Sequence, residues 1–343
     1  MSSNSPQAGA WILVTGGAGY VAGCLLHALL AEGYALTVLD DLSAGHADSL
    51  PSAVELVVGR VGDRPLVERL LARPGLAGVF HFAGRTSVPE SVAEPLLYYE
   101  NNVVEGITLV AAVATVGRAV PFVLSSSAGV YGPPERIPVP VSEEAPTASP
   151  HAYGESKRVL EGLLDRLERS HGLPWAALRY FNAAGATEAV VERHEPEGHL
   201  IPNLLTAAAG GPPATLFGRD YDTPDRSAVR DYVHILDLAD GHLRALHHLR
   251  VKGGGLAVNL GSGRGASVLE VVRAVETATG APLPHTWQAR RPGDPPVLVA
   301  DISRAERVLA YRPTHSDIGR IVADAWRWRG RLPAKGNIAP GHR

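Results

Sequence analysis

The chain has 343 residues, a length that suits one large domain or two fused ones. Hydrophobic residues make up 45% and charged residues 20%, a globular balance that excludes wholesale disorder. The net charge of −3 leaves no basic surplus, so neither nucleic acid nor an anionic membrane is expected as a partner.

Residues 1–10 are small and polar and read as a leader. No Lys or Arg precedes Arg60, so the positive region of a secretory signal is missing. From Trp11 the pattern settles. A short apolar strand, Trp11–Val14, is followed by glycines and a helix over Val21–Glu32 that Gly33 stops. Ala35–Leu39 is a second apolar strand ending at Asp40. The stretch 11–39 is broken by glycines, Thr15, His27 and Glu32, so it is no membrane span, and a cytoplasmic location is expected. Cys24, the lone cysteine, cannot form an internal disulfide and falls inside the first helix as a small buried residue. Strands recur at Glu55–Val58, Gly78–Phe82, Val120–Ser125 and Trp175–Tyr180, with helices at Leu66–Ala72, Glu100–Val116 and Tyr153–His171 between them. Continuous apolar strands alternating with helices predict an α/β fold: a Rossmann-type, doubly wound parallel sheet covered on both faces. After about residue 185 prolines interrupt the pattern, until an amphipathic helix at Ile318–Arg329. The expected organisation is a Rossmann domain over residues 11–184 and a smaller C-terminal α/β substrate lobe over 185–330, with 232–260 returning to the first domain.

The segment from Val14 to Ala22 leaves a strand and opens a helix, with Gly16, Gly19 and Ala22 at the three small positions of a dinucleotide loop. Small residues let the backbone approach a pyrophosphate, which then faces the helix N-terminus. Asp40 ends the next strand, where a carboxylate accepts from an adenosine ribose and repels a 2′-phosphate; NAD is therefore favoured over NADP. Glycines alone also serve plain turns. Loop, helix, strand and acid in register carry more weight.

Tyr153 and Lys157 lie four apart at the start of a helix and share one face. An unperturbed tyrosine, with a pKa of about 10, is a poor base at neutral pH. A neighbouring ammonium favours the phenolate, and a shift of about three units takes roughly 4 kcal/mol. Ser125, Ser126 and Ser127 end the preceding strand, where a hydroxyl can share a proton with the tyrosine. Each feature alone is commonly structural; in this order after the glycine loop they read as a catalytic set.

With these residues, the chain resembles the extended short-chain dehydrogenase/reductase family, and within it the UDP-glucose (UDP-galactose) 4-epimerases. The likeness runs over about residues 11–329. It is carried by Thr15–Tyr20, His81–Gly84, Tyr98–Val103, Ser125–Ala128, Tyr180–Asn182, His199–Pro202, Phe217–Asp225, Arg230–His234 and Arg290–Asp294. The resemblance implies NAD-dependent epimerisation at C4 of a UDP-hexose through a transient 4-keto sugar, with UDP-N-acetylhexosamine or UDP-uronate epimerisation, or another nucleotide-sugar reaction, as alternatives. It implies Tyr153 as base, Lys157 as its tuner and Ser127 as proton-sharing partner. It places Gly16, Gly19, Tyr20, Val21, Asp40, Phe82, Ala83, Gly84, Asn101, Ser125, Tyr153, Lys157 and Tyr180 at NAD. It places Ser127, Asn182, His199, Leu200, Phe217, Arg230, Arg291, Asp294 and Leu298 at the UDP-sugar. No metal is expected. Related enzymes are often dimers, and the helices Glu100–Val116 and Tyr153–His171 could pair in a homodimer.

Three positions depart from the family pattern. Arg60 stands where an acid usually sits near the adenine, and Thr86 where a lysine commonly reaches the cofactor; both predict weaker NAD retention. Arg85, beside Thr86, is a cation that a uronate substrate would use. Leu298 replaces a bulky tyrosine beside the sugar's C2 group and predicts tolerance of N-acetylated sugars. The residues after Ser127 are Ala128-Gly129-Val130, without the Asp-Glu pair of the family's dehydratases.

Overall fold

The computed structural model describes residues 9–116, 119–133, 137–291 and 293–331, so most of the expected leader and Pro292 lie outside the described residues. The chain opens with strand β1 (Trp11–Thr15), helix α1 (Tyr20–Ala31) and β2 (Ala35–Asp40). β3 (Val54–Val58), α2 (Arg64–Leu71) and β4 (Leu76–His81) follow. Short helices α3 (Val88–Ala93) and α4 (Pro95–Tyr98) lead through one wide π-helical segment, Tyr99–Val104, into α5 (Glu105–Ala114). Then come β5 (Phe122–Ser127), the long helix α6 (Ala152–His171) and β6 (Trp175–Tyr180).

Every residue of β1 and β6 is buried, as the unbroken apolar runs require of strands covered on both faces. α1 places Leu25, Leu26 and Leu29 fully inside, each contributing about 1.5–3 kcal/mol of burial. Caps set the helix ends: the Asp63 carboxylate accepts from Leu66 N at the start of α2, and Gly172, at φ 66°, ends α6.

The remainder comprises β7 (Asn182–Ala184), α7 (Leu200–Ala208), β8 (Ala214–Phe217), β9 (Val229–His234), α8 (Ile235–Lys252) and β10 (Gly255–Leu260). After these come β11 (Gly265–Ser267), α9 (Val268–Thr279), β12 (His285–Gln288), β13 (Val297–Leu298), α10 (Ser303–Leu309) and α11 (Ile318–Trp328). The main sheet is parallel and runs β10-β6-β5-β4-β1-β2-β3, so the order reverses between β1 and β4. Such a switch point opens a crevice at the C-terminal strand ends, where ligands of doubly wound sheets bind. β7, β9, β11 and β13 form a small mixed sheet, and β8 pairs with β12; Ile201, Leu204, Leu216, Val271 and Ile321 fill the core beneath them.

One expected element differs. The helix expected to be continuous over Glu100–Val116 begins as the π segment and ends its regular part at Ala114. The wide turn lets two successive asparagines serve different tasks, a use typical of π-bulges at functional sites.

Candidate active site

A cleft of about 1310 Å³ opens at the switch point. Its floor is the loop after β1. Gly16 has φ +69°, and a Cβ there would stand 2.4 Å from Ala83 N, so only glycine fits between β1 and the end of β4. Gly19 caps α1, leaving the first N–H groups of that helix open to the cleft beside Tyr20 and Val21. Asp40, at the end of β2, accepts from Ala18 N at 3.0 Å and from Leu42 N at 2.9 Å, while burial pushes its carboxyl above the usual range. Phe82, Ala83, Gly84, Asn101, Ser125 and Tyr180 line the same cleft.

Asn101 faces this wall, whereas Asn102 is buried and clamps the next loop: its Oδ1 accepts from Arg85 N at 2.8 Å and its Nδ2 donates to Arg85 O at 2.9 Å and to Ser156 Oγ at 3.0 Å. The Arg85 guanidinium donates to Glu90 at 3.0 Å, so this cation is already partnered. Arg60 and Thr86 are both on the wall, and Arg60 is paired with Glu105.

The expected catalytic residues converge. β5 delivers Ser127 and α6 delivers Tyr153 and Lys157. Gly154 lets these elements meet, since a Cβ there would be 1.9 Å from Gly129 O. His151 caps α6 through Nδ1, 3.1 Å from Gly154 N, and its ring is parallel to that of Tyr153. Burial raises the Tyr153 pKa, and a hydrogen bond with Ser127 pulls it back. Lys157 is 2% exposed; burial lowers its ammonium to about 8, with Glu161 acting to raise it.

Beneath Lys157 lies a dry polar network that sequence reasoning does not find. Ser126 Oγ donates to Glu161 at 2.6 Å, Arg179 grips Glu161 at 2.6 and 3.1 Å and donates to Tyr131 at 3.1 Å, and Tyr131 donates to Asn259 at 2.6 Å. A buried acid on the Lys157 face of α6 was the available signal: Glu161 stands one turn after Lys157.

The expected substrate residues divide. Asn182, His199 and Leu200 line the cleft. Phe217, Arg230, Arg291, Asp294 and Leu298 do not; they form an adjoining cluster. Arg230 stands two residues from Tyr232, a wall residue on the same face of β9, which carries the surface from one group to the other. Arg230 pairs with Asp294 at 2.5 Å, Tyr221 donates to Asp294 at 2.8 Å, and the Arg291 guanidinium lies 4.2 Å from the Phe217 ring centre. Leu298 is opposite Arg230 in register and packs on the core formed by Ala128, Val130 and Phe181, next to Ser127. The expectation of no metal meets a group that the sequence reading does not assemble. His199 points into a set of four donor side chains with Glu192, His194 and Glu197, whose members are close in sequence.

A profile of the NAD dependent epimerase/dehydratase family matches residues 12–261. The chain belongs to this family. It is 46% identical over 324 residues to the UDP-glucose 4-epimerase of Azospirillum brasilense, covering 94% of this chain and 92% of that one. The UDP-glucose 4-epimerase of Brucella ovis, solved in complex with NAD, superposes with a TM-score of 0.88 at 38% identity, covering 93% of this chain and 98% of its own. The Bifidobacterium longum enzyme, solved with NAD+ and UDP, gives 0.87 at 36%, covering 94% and 99%. The family's parallel sheet with its switch-point cleft is the architecture described above.

Proposed function

We propose that this chain interconverts UDP-glucose and UDP-galactose by NAD-dependent epimerisation at C4, the activity its relatives are named for. The observation that carries the reading is the meeting of Ser127 and Tyr153 in the cleft that Gly16 and Asp40 also line, with Lys157 buried behind the Gly84 wall. The residues fit a dinucleotide: Gly16 clears the backbone path, the α1 N-terminus offers N–H groups to a pyrophosphate, and Asp40 stands where a ribose would be gripped. NAD held by these residues would supply reversible hydride exchange with the sugar.

The chain's own residues supply the rest. Tyr153 takes the proton from the sugar's O4 and later returns it, and Ser127 shares that proton. Burial opposes the phenolate and the Ser127 hydrogen bond favours it; Lys157, one turn along α6 and at about 8 mostly an ammonium at pH 7, adds positive charge on the same helix face. Leu298 and Asn182 border the sugar without gripping it, while Arg230, Arg291 and Phe217 hold the UDP part: guanidiniums suit a diphosphate, and the ring packs on a nucleoside. Binding energy is thereby placed on the nucleotide, and the sugar is left free to present its other face. The leucine at 298 also supports turnover of N-acetylated UDP-sugars.

Residues 11–184 with 232–260 serve the cofactor and the remainder of 185–330 the substrate. A homodimer is supported by the apolar side chains exposed on successive helical segments, Val92, Leu96, Val104 and Ile107, of which Leu96 is 74% exposed. Among the described residues no helix is long and apolar enough to cross a membrane, and the lone, buried Cys24 suits a reducing, cytoplasmic setting.

A proton NMR time course with UDP-galactose tests the reading. Growth of the UDP-glucose anomeric signal is expected, faster with added NAD+ because Arg60 and Thr86 weaken retention. No conversion with or without NAD+ overturns the reading.

A further inference from the structure

Outside the catalytic group, one loop gathers four donor side chains. Glu192, His194, Glu197 and His199 each offer one ligand atom, and the four atoms lie within 4.8 Å of one another. His199 Nδ1 is 2.7 Å from Glu192 Oε1, His194 Nδ1 is 3.2 Å from the same oxygen, and His199 Nδ1 is 3.2 Å from Glu197 Oε1. An ordinary surface ion pair needs one cation and one carboxylate. Here two imidazoles and two carboxylates converge, and the Glu192 side chain is only 10% exposed. Glu192 is pulled below the usual carboxylate range by the two imidazoles against its burial, and His199 is pushed up to about 10 by the two carboxylates.

We propose that Glu192, His194, Glu197 and His199 form a binding site for a divalent transition metal of the zinc class. Metal ligation requires both imidazoles neutral, so the proton that His199 holds is released on binding; the two carboxylates then carry a formal charge of −2, which a divalent cation neutralises. Zinc takes nitrogen and oxygen ligands at about 2.0–2.2 Å, which in tetrahedral geometry sets the donors roughly 3.3–3.6 Å apart. The separations of 2.7 and 3.2 Å, within an outer limit of 4.8 Å, bracket that spacing, so small side-chain movements complete the shell. Calcium and magnesium prefer all-oxygen shells, so the imidazoles select against them.

The position assigns the metal a structural task. His194 stands edge-on to the Tyr20 ring at 6.2 Å, and the Tyr20 hydroxyl donates to Gly185 O. Between the ligands, Arg193 donates to Asp48 at 2.8 Å, and its carbonyl lies 3.0 Å from His46 Nε2. His199 is the N-cap of α7, whose Leu200 faces the cleft. An ion held by this loop therefore ties together the start of α1, the segment after Asp40 and the start of α7, three parts of one cleft wall. Glu192, His194 and His199 line the same cleft as Ser127 and Tyr153, but the cluster shares no residue with the catalytic set.

The test is calorimetric titration of the full chain, stripped with chelator, with Zn2+, accompanied by Co2+ absorption spectra. One Zn2+ per chain, intense tetrahedral Co2+ bands and a higher thermal midpoint with Zn2+ are expected. His194→Ala should weaken Zn2+ binding about tenfold or more and abolish the midpoint shift. Glu197→Gln, which keeps the side chain's shape, serves if the first variant does not fold, and should weaken binding in the same direction. Absence of stoichiometric Zn2+ binding, equal binding by wild type and variants, or a preference for Mg2+ or Ca2+ overturns the proposal.

Discussion

The main sheet and the later lobe solve the problem of positioning in opposite ways. In the sheet, strands of five or six residues are mostly buried, and the polar groups that remain are locked in dry contacts such as Glu161–Arg179, with side chains 8% and 7% exposed. In the lobe, strands of two to four residues such as β8, β12 and β13 hold charged groups in more open pairs: Arg290–Asp220, with side chains 37% and 72% exposed, and the stack of Arg291 on Phe217. The difference matches the work proposed for each. A proton must be moved at a fixed point in the first, whereas the second must grip a charged nucleotide and release it.

The sharpest way to break this comparison is at Tyr153. Tyr153→Phe keeps the ring and removes the hydroxyl, so turnover of UDP-galactose should fall by about 10²–10⁴-fold while the thermal midpoint stays close to wild type. A loss of only a few-fold would mean that the proton goes elsewhere and that the rigid half is not the chemical half.

A smaller effect comes from acid. His81 and His242 are fully buried in the sheet half; burial lowers His81 to about 3, with Lys157 adding to the effect, and lowers His242 to about 4. Unfolded imidazoles titrate at about 6.5, so between that value and about 4 the unfolded chain binds more protons and stability rises with pH. Acidification below 6.5 should therefore destabilise the fold by up to about 1.4 kcal/mol per pH unit for each imidazole, measurable as urea midpoints across that range. A flat profile from pH 6.5 to 5 would show that these rings are not held neutral.

The same contrast explains what the sequence makes legible. β1, α1 and β2 can be read because apolar runs are broken by residues with few other uses, and Gly16 and Asp40 fall where a dinucleotide loop needs them. The likeness to known epimerases locates Phe217, Arg230, Arg291 and Asp294, but not their pairing. That depends on β9 and the loop before β13 meeting in space; Arg230 and Asp294 are 64 residues apart. The Glu161–Arg179–Tyr131–Asn259 network is illegible for the same reason, its Tyr131–Asn259 bond spanning 128 residues. The π segment escapes because Glu100–Val116 has ordinary helical periodicity, and only the clamp of Asn102 on the Arg85 backbone accounts for the widened turn. The resemblance puts His199 at the substrate together with its neighbour Leu200, whereas its shortest contacts are to Glu192 and Glu197.

The central claim is that C4 loses a hydride and regains the same one on its other face, with Tyr153 moving only the O4 proton. UDP-galactose carrying deuterium at C4 tests it directly, by mass spectrometry and NMR of the UDP-glucose formed in ordinary water. The account predicts that the deuterium is retained at C4. Its replacement by solvent hydrogen would mean that C4 is deprotonated instead, and would contradict the proton-handling role of Ser127, Tyr153 and Lys157.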